Sequence, residues 1–169
     1  MIKRIAIPEL KPVGSYSTAV QVLFTGEANL SSDMIFVSGL LGMDYTSGRM
    51  PDNFEEQTLK IMENLKIVLN KFQLEYTDIA KATVYVTDMD NFGKFNEVYG
   101  SFFPNEAYPA REVVEVRRLP KDALVEVSFI LVKPMEKKLK NLAGKLKDEV
   151  REGLDEIGKL FKELADKMK

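Results

Sequence analysis

Ala80-Lys81-Ala82-Thr83-Val84-Tyr85-Val86-Thr87-Asp88-Met89-Asp90-Asn91-Phe92-Gly93-Lys94-Phe95-Asn96-Glu97-Val98-Tyr99-Gly100-Ser101-Phe102-Phe103-Pro104 decides the architecture. Its first seven residues are apolar and β-branched enough for a strand. Asp90 then offers an N-cap, and Phe92, Phe95, Val98/Tyr99 and Phe102 recur at helical spacing until Pro104 stops them. Upstream, Pro51 and Asp52 with Glu55 three residues on form a capping-box pattern. Leu59, Met62, Leu65, Leu69 and Phe72 follow as the inward face of a helix of about five turns. Three short apolar runs come earlier, at 2–7, 19–24 and 34–38, and Thr46-Ser47-Gly48 reads as a turn. Two closing strands, 113–116 and 124–132, are joined through Leu119-Pro120-Lys121-Asp122 and read as a hairpin. The order β-β-β-α-β-α-β-β predicts an α+β sandwich with helices on one face of a sheet, and the body shows no internal repeat.

Composition changes at Pro134. Residues 136–169 hold 10 Lys+Arg and 8 Asp+Glu, leaving the body at −4 and the tail at +2. Leu139, Leu142, Leu146, Val150, Leu154, Ile157, Leu160/Phe161, Leu164 and Met168 recur every three or four positions, which predicts an amphipathic helix. Gly144, Gly153 and Gly158 weaken it by about 1 kcal/mol each, so its apolar stripe should need a partner. The expected domains are therefore 1–133 and a helical extension, 134–169.

The 169 residues contain no histidine and no cysteine. Disulfides, thiol catalysis, the Ser-His-Asp triad and most catalytic zinc sites are thereby excluded. No metal-ligand cluster, Walker loop or dinucleotide fingerprint is visible. An acidic body gives no electrostatic reason to bind nucleic acid. No signal peptide or membrane-spanning run is apparent, so a cytoplasmic location is expected.

Chemistry must then come from carboxylates, Arg, Tyr, hydroxyls, backbone groups and water. Arg111 opens a strand behind Pro109, where a guanidinium can clamp a carboxylate; the alternative is a surface Arg paired with a nearby Glu. Glu115 shares its strand face but lies roughly 13 Å away, too far to hold the same small substrate. Glu126, within Leu124-Val125-Glu126-Val127, is either a partly desolvated acid suited to holding water or an outward residue of a half-exposed strand. Ser38-Gly39-Leu40-Leu41-Gly42 ends a strand with glycines, where backbone N–H groups could hold an anion or simply turn the chain. Tyr16 is a packing ring or a pocket wall, and Asn96 sits at the margin of the second helix.

Taken together, Gly14-Ser15-Tyr16-Ser17-Thr18-Ala19-Val20, Phe36-Val37-Ser38-Gly39, Glu56-Gln57-Thr58 with Glu63-Asn64-Leu65, 81–89, Phe95-Asn96-Glu97-Val98-Tyr99, Tyr108-Pro109-Ala110-Arg111, Glu115-Val116 and 119–127 resemble the Rid (reactive intermediate deaminase) family across about residues 1–133. The resemblance implies a chorismate-mutase-like fold, a homotrimer with clefts between subunits, and hydrolysis of 2-aminoacrylate and related 2-imino acids to 2-keto acids and ammonia without a cofactor. Position by position, it makes Arg111 the carboxylate-binding residue and Glu126 the acid that positions water. It makes Tyr16 a cleft tyrosine contributed across the interface, Ser38 and Gly39 pocket-lining residues, and Asn96 a helix residue near the site.

The sequence departs from the family pattern where Val113 replaces a water-holding Cys of some members, Ser15 a Pro, Leu40 a Gln, and Glu112 a small polar residue. A carboxylate at 112 could tie up the guanidinium. The stretch 22–32 is longer than the expected turn. The competing reading is a non-catalytic trimeric scaffold, natural or engineered, or a small-carboxylate binder, whose C-terminal helix drives higher-order assembly. For that helix, packing or pairing is favoured over a membrane surface, because its charge is nearly balanced.

Overall fold

The computed structural model describes residues 1–24 and 32–167; most of the long 22–32 stretch lies outside them. Six strands form one sheet: β1 (Ile2–Ile5), β2 (Ala19–Val22), β3 (Asp33–Leu41), β4 (Ile79–Val86), β5 (Ala110–Glu115) and β6 (Val125–Lys133). The helices are α1 (Phe54–Phe72), α2 (Phe92–Gly100) and α3 (Met135–Lys167). The chain divides into two compact units, Met1–Lys133 and Pro134–Lys169.

Strand order is β1-β2-β3-β6-β4-β5, antiparallel throughout except for the parallel pair β4/β5. The predicted α+β architecture is found, but the predicted closing hairpin is not. β4 lies between β5 and β6, pairing Ala82 with Arg111 on one side and with Phe129 on the other. The cause is α2: a crossover helix returns the chain to the end of the sheet where β4 began, so the next strand must run parallel to it.

One sheet face carries the core. Ile35, Val37, Ala82, Val84, Val86, Val127, Phe129 and Leu131 are buried there with the α1 residues Ile61, Met62, Leu65, Val68 and Leu69. Each fully buried aliphatic side chain of α1 contributes roughly 1.5–3 kcal/mol. Leu59, expected on this inward face, is 43% exposed instead. The α1 cap is shifted by one residue from the expectation: Asn53 Oδ1, not Asp52, accepts the Glu56 N–H at 2.7 Å. Phe54, 4% exposed, is anchored in the core, which places the first helical residue there and the cap just before it.

The second helix is corrected in the same way. Asp90 does not cap α2, which follows Asn91 without a side-chain cap; Asp88 caps the 3₁₀ turn Met89–Asn91 before it, accepting the Asp90 N–H at 2.9 Å. Phe92 is exposed, Val98 and Phe102 are half-buried, and only Phe95 and Tyr99 are fully inward. At Thr46-Ser47-Gly48 the turn is present: Asp44 Oδ1 accepts the Thr46 and Ser47 N–H groups, which hold its carboxyl below the usual range. Gly48 closes it at φ +74°, a left-handed conformation.

Among the described residues of this unit, neither α1 nor α2 lies on the opposite sheet face. Val20, Phe36 and Ile130 stand in one row across β2, β3 and β6, and Val22, Met34 and Val132 in the next. These apolar side chains are half-buried or, for Phe36, exposed.

Considered alone, α3 presents Leu139, Leu142, Leu146, Val150, Leu154 and Ile157 at 45–63% exposure. No helix among the described residues is long and apolar enough to cross a membrane.

Candidate functional site

The six candidate residues line two cavities. The first, of about 450 Å³, lies where α2 meets β5 and is lined by Asn96, Tyr99, Gly100, Tyr108, Pro109 and Arg111. Arg111 projects from β5 toward α2, with its Cζ 5.0 Å from the Tyr99 ring centroid, 5.3 Å from Phe95 and 5.8 Å from Phe92. Three ring faces attract the cation without neutralising it. Asn96 Oδ1 accepts a hydrogen bond from Arg111 Nη2 at 2.6 Å and fixes one side of the fork. Among the described residues no carboxylate pairs with this guanidinium. Glu112 does not tie it up: it points to the opposite face, bound to Lys81 Nζ at 3.0 Å and to the Thr83 hydroxyl at 2.9 Å. The Tyr99 hydroxyl is buried without a hydrogen-bond partner, and burial raises its pKa.

The second cavity, of about 280 Å³, is lined by Val13, Tyr16, Ser38, Gly39, Leu41, Pro120 and Glu126. Glu126 is half-buried, and desolvation pushes its carboxyl above the ordinary range. A register shift between Val37 and Leu40 releases Ser38 and Gly39 from the β3/β6 ladder, and the Glu126 side chain fills the space where a Cβ on Gly39 would stand. That close approach, rather than a left-handed φ, is what requires glycine here.

Two of the backbone N–H groups considered from the sequence for holding an anion are already engaged. Ser38 N–H is taken by Thr18 O and Leu41 N–H by the Tyr45 hydroxyl, while Ser38 Oγ donates to Ser17 O at 2.8 Å. Tyr16, 44% exposed, forms a wall of the cavity, its hydroxyl accepting the Val13 N–H. Leu40 is buried in the core, so its departure from Gln does not reach the carboxylate. Val113 is half-buried against the core on the Arg111 face.

The register separates the two cavities. Arg111 pairs with Ala82 and faces the helices, as does Phe129 beside Ala82. Glu126 pairs with Tyr85, three residues from Ala82 and hence on the other face. Within one copy, the guanidinium and the carboxylate therefore stand on opposite sides of the same sheet.

Two buried polar side chains of α1 hold the second cavity in shape. Asn64 Nδ2 donates to Leu41 O at 3.1 Å and to Met43 O at 2.9 Å. Gln57 Oε1 accepts the Leu124 N–H, two residues from Glu126, while its Nε2 donates to Pro51 O.

Comparison with known proteins agrees with this geometry. The sequence pattern described as Endoribonuclease L-PSP matches residues 6–133. The chain belongs to the endoribonuclease L-PSP family. Among its L-PSP relatives, a RutC family protein of Pyrococcus abyssi is 40% identical over 124 residues, 73% of this chain and 90% of that protein. TdcF of Escherichia coli, named as a candidate reactive intermediate deaminase, is 37% identical over 102 residues, 59% of this chain and 79% of TdcF. RidA from an Antarctic Psychrobacter superposes with a TM-score of 0.65 at 30% identity, over 76% of this chain and 98% of that one. E. coli TdcF with bound serine superposes with a TM-score of 0.64 at 32% identity, over 78% and 99%. The Rid resemblance read from the sequence is thus borne out, and the family match ends at residue 133, before α3.

Sequence reasoning assigned no site role to Tyr99, Tyr108, Pro109, Pro120 or Val13. Tyr99 read as core, which it also is; Tyr108-Pro109 stood beside Arg111 in the quoted motif and was the available signal.

Proposed function

We propose that the protein hydrolyses 2-aminoacrylate and related 2-imino acids to 2-keto acids and ammonia, in clefts that each join two copies of the chain. Arg111 of one copy grips the substrate carboxylate, and Glu126 of its neighbour, with Tyr16, Ser38 and Gly39, presents the water. The observation that carries this reading is the placement of Arg111 and Glu126 on opposite faces of one sheet, each lining its own cavity. A single copy cannot close both groups on a small molecule; a ring of copies, a homotrimer by the family resemblance, can. The rows Val20/Phe36/Ile130 and Val22/Met34/Val132 supply an uncovered apolar face for such contact.

In the reaction, water adds to the C=N carbon of R–C(=NH)–COO⁻. Glu126 accepts a proton from that water, and the proton is returned to nitrogen. The tetrahedral adduct R–C(OH)(NH₂)–COO⁻ then passes its hydroxyl proton to nitrogen as the C–N bond breaks, leaving R–CO–COO⁻ and NH₃. Arg111 holds the carboxylate with its planar fork while Asn96 limits its rotation. Because the imine carbon is already electrophilic, positioning carries much of the rate. A family name that denotes RNA cleavage does not favour that activity here, since the body carries a net charge of −4.

The test is a semicarbazide-competition assay, in which 2-iminopropanoate generated in situ partitions between hydrolysis and trapping. Wild-type protein should suppress semicarbazone formation, and Arg111→Ala should not, with the oligomer mass unchanged. Normal turnover by Arg111→Ala removes the guanidinium from the reaction.

A further inference from the structure

The segment beyond the family match has a regularity of its own. From Leu139 the sequence repeats every eleven residues: LKNLAGKLKDE (139–149), VREGLDEIGKL (150–160) and FKELADKMK (161–169). The first position is Leu139, Val150 and Phe161; the eighth is Leu146, Ile157 and Met168. The fourth and fifth positions exchange one large and one small residue, as Leu142/Ala143, Gly153/Leu154 and Leu164/Ala165. At 3.6 residues per turn, eleven residues advance three turns plus about 20°, so these positions keep one narrow stripe with a slow right-handed drift. Its large members between 139 and 157 all stand exposed on α3.

The borders of the stripe differ in charge. One carries Lys140, Lys147 and Arg151. The other is mixed, with Lys138, Lys145, Glu149, Glu156, Glu163 and Lys167. Antiparallel helices would bring the two basic borders together, whereas parallel helices set the basic border of one copy against the mixed border of the next, where Glu149 and Glu156 can meet Lys147 and Arg151. A helix lying on an anionic lipid surface calls for a cationic excess along both borders, and on the mixed border Glu149, Glu156 and Glu163 cancel the lysines.

We infer that α3 is an assembly segment whose occupant is the same helix of another copy, packed in parallel through the eleven-residue stripe as a right-handed bundle. The border charges carry this independently of the catalytic reading. The shared cleft proposed above, if copies meet there, adds to it, because Pro134 alone separates β6 from α3 and the tails would be held at high local concentration.

The full chain contains no cysteine, so single replacements report contact cleanly. Under mild oxidation, Leu142→Cys on the stripe should form same-residue disulfides roughly ten-fold more extensively than Asp148→Cys on the outer side, because in-register parallel helices bring the two Cα atoms at 142 within bonding range and keep those at 148 apart. Adding Leu146→Asp and Leu154→Asp should bring the Leu142→Cys link down to the Asp148→Cys level without changing deaminase turnover. Equal linkage at both positions, or none, overturns the inference. So does flotation of the full chain with vesicles of phosphatidylglycerol and phosphatidylcholine accompanied by loss of the link. Light scattering of residues 1–133, a length at which the relatives exist without this tail, keeps the two readings apart. An assembled body with no link at 142 in the full chain removes only the tail pairing; a full chain that is monomeric removes the shared cleft as well.

Discussion

If each cleft takes Arg111 from one copy and Glu126 from the next, two inactive variants should repair one another. Arg111→Ala removes the carboxylate clamp and Glu126→Gln the proton acceptor; each alone should lose about 10²–10³-fold in turnover, the scale of deleting one preorganised charged contact. When the two are co-expressed and purified as mixed oligomers, a cleft is intact only where an Arg-bearing copy precedes a Glu-bearing one. In a closed ring of three, every mixed oligomer holds one such junction whichever variant is doubled, so about one third of the clefts recover. The opposite-face placement of Ala82/Arg111 and Tyr85/Glu126 is what generates that fraction. Differently tagged variants purified through both tags, assayed by semicarbazide competition beside each parent, would read it as a rise far above either parent. A mixed sample no more active than the sum of its parents would refute the reasoning, since it would place both groups in a cleft built by one copy.

Other consequences can be checked separately. Gly39→Ala should lose turnover while melting near the wild-type temperature, because the new Cβ displaces only the flexible Glu126 carboxylate; Gly42→Ala should lower the melting temperature clearly, because its Cβ meets the backbone of Gln57. In a pH–rate profile the acidic limb should lie above the ordinary carboxylate range: burial raises Glu126, the ionised form is the acceptor, and turnover falls as pH drops through that raised value. A limb at or below the usual Glu value would remove Glu126 from that role. Asn64→Leu should lower the unfolding free energy by about 1–3 kcal/mol for each buried carbonyl, of Leu41 and Met43, left without its donor, read as a lower urea midpoint in equilibrium unfolding.

The elements of the body were readable because their apolar spacing is set by the helix and strand periods themselves. Ile61, Met62, Leu65, Val68 and Leu69 bury at helical spacing, and β6 alternates buried and half-buried residues along its length. The caps slipped because both neighbours could cap: Asp52 and Asn53 each have a Glu three residues on, and only the anchoring of Phe54 in the core decides between them. Strand pairing was not readable. The turn at 119–122 suggested that β5 and β6 are neighbours, and nothing local in either strand says that β4 lies between them. That single insertion fixes which faces Arg111 and Glu126 occupy. The fate of Glu112 was equally hidden, since Lys81 and Thr83 meet it only through the parallel pairing of β4 with β5.

If the cleft is shared as proposed, a chain with Arg111 and Glu126 turned to opposite sides is inert on its own, holding halves of two different workplaces. Catalysis then begins only at encounter, so the specific rate should sink on dilution long before any polypeptide unravels. A cell that makes few molecules would keep them silent; one that makes many would switch them on by abundance alone.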